Sequence, residues 1–223
     1  MRSVCRQASA IQKQQPHLVW RAPSRNEGAA EPVLAPEQPD IWSAGTDESA
    51  ADLKAPPAIQ GGMERGLILH KLMEEILTGE ITDDAEAVTA RAKELIASLG
   101  NAPVADPATG LAPAELAGCV ARTLALPQII ALRPRLLPEF PVYGITDEEN
   151  GQSATAGVAD ALALAESGAP EVVIDWKSDV NPSAATLDHY QAQVGAYLDI
   201  TGGREALIVL MTSGQVIPVV PTK

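Results

Sequence analysis

Asp175 and Lys177 alternate along Val172-Val173-Ile174-Asp175-Trp176-Lys177, so an acid and a base project from one face of a strand while Val172, Ile174 and Trp176 share the other. On its own such a pair also reads as a surface ion pair worth little. Asp160, however, interrupts the preceding apolar run Gly157-Val158-Ala159-Asp160-Ala161-Leu162-Ala163-Leu164, where a charge is costly unless it is paired or bound to a metal. Two neighbouring antiparallel strands would bring Asp160 near Asp175. Two carboxylates at that range repel and call for a cation, and oxygen ligation suits Mg²⁺ or Mn²⁺ rather than zinc. The alternative is a plain pairing of Asp160 with Lys177. His70 lies beside the apolar stripe of Leu67-Ile68-Leu69-His70-Lys71-Leu72-Met73, as a ligand turned toward the sheet or as a boundary residue. Gln193 and Tyr197 stand one turn apart on a helix, as a functional pair or as a buried tyrosine flanked by a solvated glutamine. Gly195 between them costs roughly 1 kcal/mol relative to alanine, which a close approach of backbone to the sheet or to a phosphate would justify.

The elements that position these residues follow from periodicity. Leu69, Leu72, Met73, Ile76 and Leu77 form a helical stripe that Gly79 stops. Asp83 with Glu86 resembles a capping box, and Ala85, Val88, Ala92, Leu95, Ile96 and Leu99 keep helical spacing up to Gly100. Pro113 suits the first turn of a third helix reaching about Leu126, and Pro127 starts a short fourth. From Leu137 the pattern becomes three short runs separated by turns at residues 147–151 and 166–170, which predicts a meander of three strands. A helix from Ala184 to about Ile200 and two strands around Ser213-Gly214 complete the order.

The chain has 223 residues, 46 % of them apolar and 20 % charged, the length of one domain with a tail. Residues 1–60 carry Pro, Ser, Gln and Ala without apolar periodicity and read as a flexible linker or arm, with Leu18, Val19, Trp20 and Trp42 as local anchors that could dock. That stretch holds 6 basic and 7 acidic residues, whereas residues 61–223 hold 10 and 22, so the acidity belongs to the predicted folded part. A net charge of −13 argues against a free-standing, nonspecific DNA binder, and 7 aromatics leave little for stacking bases in series. No run approaches a membrane span or a secretory leader, so a soluble cytoplasmic protein is expected. Cys5 and Cys119 make neither a disulfide framework nor a cysteine-rich metal site.

Five motifs in order carry a family resemblance: Gly66-x-x-x-His70, Glu139-Phe140-Pro141, Gly157-Val158-Ala159-Asp160, Ile174-Asp175-Trp176-Lys177 and Gln193-x-x-x-Tyr197. The set resembles the RecB-like branch of the PD-(D/E)XK nuclease superfamily, in particular the C-terminal nuclease domains of AddA-type helicase–nucleases, over residues 61–220. The resemblance implies an α/β fold, a restriction-endonuclease-like core whose central mixed sheet is flanked by helices, here with an extra N-terminal helical region. It implies metal binding by Asp160, Asp175 and His70, a catalytic Lys177, an accessory motif of Gln193 and Tyr197 near DNA, and Glu139 as a supporting or DNA-facing acid. The implied activity is Mg²⁺- or Mn²⁺-dependent hydrolysis of DNA in double-strand-break repair or recombination. Single strands would be delivered by a helicase motor in cis or in trans, with an AddB-like subunit as a further partner.

Two departures from the family pattern bear on DNA contacts: Ala161-Leu162 stands where relatives often carry a basic residue, and Trp176 replaces the usual tyrosine. Two cysteines exclude the iron–sulfur subtype, and the chain carries no GxxxxGK[ST] loop for a motor of its own. The alternatives are a non-catalytic RecB-like scaffold for DNA ends or partners, and an unrelated acidic interaction domain.

Overall fold

The computed structural model describes residues 17–21, 59, 61–148 and 151–221. In chain order the elements are β1 (His17–Arg21), α1 (Met63–Thr78), α2 (Ala85–Ser98), α3 (Pro113–Leu124), α4 (Pro127–Leu132) with a 3₁₀ turn at Arg133–Arg135, β2 (Leu136–Glu148), β3 (Gly151–Leu164), β4 (Pro170–Lys177), α5 (Ala184–Thr201), β5 (Glu205–Leu210) and β6 (Gln215–Val219). The fold is α/β: a mixed sheet flanked by helices, with a helical region ahead of its long strands.

Local chemistry sets the helix ends. Gly79 closes α1 at φ 81°, where its N–H reaches back to the carbonyls of the last turn. The α2 cap is Asp84, whose carboxylate accepts from the Ala87 N–H, and not the Asp83 of the expected capping box. Asp83 is taken instead by Arg133 Nη1 at 2.5 Å. Proline occupies the first turn of α3 and of α4, where a missing N–H costs nothing. Ser183 caps α5 through Thr186 N–H.

The meander forms as expected: β2 and β3 pair antiparallel over their full lengths, and β3 pairs antiparallel with β4. α5 then carries the chain over to β5, parallel to β4, and β6 returns antiparallel. β2 and β3 run longer than the sequence pattern suggested because each supplies the other's hydrogen bonds as far as Glu148 and Gly151. β1, which holds the anchors Leu18, Val19 and Trp20, pairs parallel with Gly151–Thr155 of β3. The rest of the expected arm, including Cys5 and Trp42 but not residue 59, lies outside the described residues.

Each sheet face has its own core. On one, Ala161, Ala163, Val172, Ile174, Trp176, Leu207 and Val209 meet the apolar sides of α1 to α4. On the other, Val142, Ala159, Leu162, Val173, Ile208 and Leu210 meet Val194, Tyr197 and Leu198 of α5. Trp176 is 1 % exposed, so its face of β4 is fixed by burial that is worth roughly 3–5 kcal/mol against truncation to alanine. Locking Trp176 inward forces Asp175 and Lys177 to the opposite face, toward α5. Two glycines let α5 lie close: a Cβ on Gly157 would sit 2.5 Å from Tyr197 Oη, and one on Gly144 would sit 2.6 Å from Ile200 Cγ2. Among the described residues no single helix is long and apolar enough to cross a membrane. α3 and the α4 segment reach that length only as a pair bent by 67°.

Candidate functional site

The site lies where two strands part. Pairing between β3 and β4 runs from Leu164 to Ala161, opposite Ile174, while β1 occupies the same edge of β3 only at 151–155. Asp160 comes next after Ala161, and by the same register it faces Asp175. The Trp176 N–H, rather than meeting a carbonyl, donates to Asp160 Oδ2 at 2.6 Å. A carboxylate has thus replaced a ladder acceptor at the point of divergence. Across the other edge of β3, the pairs Pro138–Ala161 and Phe140–Ala159 bracket Glu139 opposite Asp160. Three acids, Glu139, Asp160 and Asp175, therefore lie in a row across β2, β3 and β4.

Glu139 adopts φ 49°, the one positive φ among the described non-glycine residues. A non-glycine residue in this region carries a cost on the order of 1 kcal/mol, which the surrounding sheet offsets. α1 brings His70 to the row, with Nδ1 3.4 Å from Asp160 Oδ1. Ligand atoms of His70, Glu139 and Asp160 all lie within 4.8 Å of one another. The expected metal set was His70, Asp160 and Asp175. The structure gathers Glu139 into the triplet, and Asp175 is engaged from the other side by Lys177.

Lys177 Nζ is 3.1 Å from Asp175 Oδ2, yet off a hydrogen-bonding approach, so that buried oxygen has no hydrogen-bond donor. The ammonium instead donates to Gln193 Oε1 at 3.2 Å and lies 4.4 Å from the centroid of the Tyr190 ring. Tyr190 in turn donates from its hydroxyl to Asp179 Oδ2 at 2.8 Å. Gln193 is thus brought beside Lys177. Tyr197 is packed in the α5 core over Gly157 and 2 % exposed. Tyr190 and Asp179 are not among the residues singled out from the sequence. The signal was present, since Tyr190 and Gln193 are three residues apart on one helical face and Asp179 continues the alternation of Asp175 and Lys177. The close approach expected at Gly195 occurs at Gly157 and Gly144 instead; a Cβ on Gly195 would meet nothing within 4 Å.

The charges at the site are strongly coupled. Burial pushes Asp175 up to about 6, with Asp160 adding to the rise and Lys177 opposing it. Burial would raise Asp160 too, but the His70 charge and hydrogen bond hold it below the ordinary carboxylate value. Burial works to lower His70, whose side chain is 31 % exposed but crowded by protein, and the Asp160 carboxylate outweighs it, so the imidazole is raised. Burial likewise acts against the charge on Lys177, and Asp175 and Asp160 outweigh that, leaving it raised. Glu139 is exposed as a residue, but its carboxyl turns in among these groups, where desolvation and then Asp160 raise it. Three carboxylates against one lysine and one histidine make a cluster of surplus negative charge with a donor set of oxygens and one imidazole, which can hold a divalent cation.

No family model matches the chain, and no curated protein matches it. Among solved structures it is similar to SSO0001, at 19 % identity over 73 % of this chain and 80 % of that one, with a TM-score of 0.36, a likeness too distant to bear on function.

Among the described residues few cations are free. Of the ten basic residues in 61–223, Arg65 is bound to Glu115, Lys71 to Glu74, Arg91 to Glu75 and Glu94, Arg133 to Asp83, Arg135 and Arg204 to Glu171, and Lys177 to Asp175. Arg122 spans the carbonyls of Met211 and Thr212. Arg65, Lys71, Arg122, Arg133, Arg135 and Arg204 are thus each occupied by a partner within the chain.

Proposed function

We propose that the chain is a metal-dependent deoxyribonuclease, acting as an exonuclease beside a helicase motor in double-strand-break repair or recombination. The observation that carries this reading is the meeting, at one point of strand divergence, of the His70, Glu139 and Asp160 donors with the Asp175–Lys177–Gln193 chain. The donor set fits a hard divalent cation, and beside it Asp175 Oδ2, 3.1 Å from Lys177 Nζ, is buried without a hydrogen-bond donor. His70, Glu139 and Asp160, with Asp175 behind them, would hold Mg²⁺ or Mn²⁺, which when bound supplies Lewis-acid polarisation of a phosphoryl oxygen and a more acidic water.

The chain's own residues contribute the rest. Lys177 keeps its proton because two acids hold its pKa up, so it acts as a fixed positive charge and hydrogen-bond donor toward a phosphate oxygen and not as the base. Gln193 fixes the direction of that ammonium. The Trp176 N–H fixes Asp160 Oδ2, which leaves Oδ1 facing His70. Because eight of the ten basic residues in 61–223 are already held within the chain, binding of DNA by phosphate neutralisation is weak there, and a motor in cis or in trans raises the local concentration of single strands. The reading places the protein in the cytoplasm.

The test is cleavage of end-labelled single- and double-stranded DNA with Mg²⁺, with Mn²⁺ and with chelator. Metal-dependent product is expected. DNA-end binding without cleavage under any metal would replace this reading with the scaffold, and neither binding nor cleavage would replace it with an unrelated acidic interaction domain, the reading that the net charge of −12 over residues 61–223 supports.

A further inference from the structure

We infer that Tyr190 is a positioning residue for Lys177: its ring covers the ammonium, and its hydroxyl ties the ring to Asp179, two residues beyond the lysine it holds. The inference rests on the nuclease reading for its consequence, though not for its geometry. A lysine side chain has four rotatable bonds and a compact, rotatable ammonium, so a single contact does not define where its charge sits. At Lys177 three contacts come from three directions. Asp175 Oδ2 lies 3.1 Å away on the same strand, Gln193 Oε1 lies 3.2 Å away on α5, and the Tyr190 ring closes a third side at 4.4 Å.

Of these, the Asp175 contact is off a hydrogen-bonding line, so by itself it would draw the ammonium further onto the carboxylate. The ring resists that drift because its face attracts a cation most strongly where water is scarce, and the Lys177 side chain is only 15 % exposed. Tyr190 itself needs an anchor, being half-buried one turn and a half into α5. Asp179 supplies it from the segment that leaves β4, so strand end, ring and helix form one closed strap around the ammonium. A charge displaced by about 1 Å is enough to lose a large part of its effect on a reacting group.

The experiment compares the full chain with Tyr190→Leu, Tyr190→Phe and Asp179→Asn by two readouts. The first is the NMR signal of the Lys177 ε-methylene, assignable among six lysines with Lys177→Arg. Ring current should shift these protons upfield in the wild type and in Tyr190→Phe, and the shift should vanish in Tyr190→Leu. The second is DNA cleavage, where Tyr190→Leu should lower kcat about tenfold to thirtyfold at unchanged KM and melting temperature, and Tyr190→Phe should recover most of that loss. Asp179→Asn loosens the ring from outside the core and gives a smaller shift of the same signal, which decides the matter if Tyr190→Leu does not fold. Lys177 signals that are identical with and without the ring, or a Tyr190→Leu chain that cleaves at the wild-type rate, would overturn the inference. A wild type that cleaves nothing removes the nuclease reading instead, and the ring-current shift still decides whether Tyr190 holds the lysine.

Discussion

Arg65 and Lys177 are both buried cations near the end of β4, one on each face of the sheet. Arg65, 2 % exposed, reaches Glu115 with two nitrogens, at 3.2 and 2.6 Å, and donates to the Ser178 carbonyl and to Cys119 Sγ. Every arm of its fork has an acceptor, and its one carboxylate balances its one charge. Lys177 faces Asp175 with Asp160 and Glu139 close behind, and one of those buried oxygens has no hydrogen-bond donor. The first cluster is closed within the chain. The second is left short of positive charge, and a fold has no structural need for such a deficit, since buried ions destabilise unless they are matched. The contrast separates a staple from a site.

The largest effect that could break this contrast is on activity. Asp175→Ala, Asp160→Ala or Lys177→Ala should each lower metal-dependent cleavage by a factor of about a thousand or more, with circular dichroism unchanged. Retained cleavage in a purified, nuclease-free preparation of any of the three would return that residue to a structural ion-pair role. Arg65→Met should do the opposite. It leaves the Glu115 carboxylate and the Ser178 carbonyl without their donor, and a broken buried pair costs about 3 kcal/mol, read as a lower denaturation midpoint. Arg65→Lys should recover little, because a point charge cannot replace a fork with four acceptors.

His70→Ala sharpens the comparison at the metal. Loss of a partner in even the outer shell of a metal costs roughly ten- to hundredfold in affinity, so the Mg²⁺ concentration for half-maximal cleavage should rise by at least that much. An unchanged titration would make His70 a boundary residue that happens to pair with Asp160. The same deficit of charge should be visible without DNA. Asp175 is raised to about 6 in the folded state, against an ordinary unfolded value near 3.9. A group raised in this way adds its stability below the unfolded value and loses it as pH climbs through the folded one. Above pH 6, in chelator, ionised Asp175 therefore weakens the fold, and Asp175→Asn should melt higher than wild type at pH 7.5, by on the order of 2 kcal/mol, with the gap closing toward pH 4. A gap that does not depend on pH would show that the acid is not strained.

Much of this was legible in the sequence because it rests on local period. The stripe of α1, the prolines opening α3 and α4, and the alternation that sends Trp176 and Asp175 to opposite faces need no distant information. The capping residue of α2 was off by one because Asp83 and Asp84 are equivalent locally, and only Arg133, fifty residues away, separates them. The same holds at the site. Asp160, Asp175, Lys177, His70 and Gln193 were named from type and spacing, whereas Glu139 as a neighbour of His70 depends on the register of β2 with β3. Tyr190 was hidden because its body is apolar, and a helical stripe cannot say which of its aromatic residues carries a cation on its face.

The smallest expected effect concerns Gly195, in the interior of α5, two residues beyond Gln193. Gly157 and Gly144 are explained by what their missing Cβ atoms would strike, and Gly157→Ala should force Tyr197 off the sheet. Gly195 has no such neighbour, so within the described chain it is only a weak point in a helix. Gly195→Ala should then raise stability by about 0.5–1 kcal/mol, since alanine loses less backbone entropy and no contact is strained. With approach to the sheet removed as a reason for the glycine, there is room for a group beyond the described residues to come near the helix backbone beside Gln193. A variant that melts higher but cleaves DNA more slowly, with KM rather than kcat altered, is the expected result and would extend the site along α5. A variant that melts higher and cleaves as wild type would end it at Gln193.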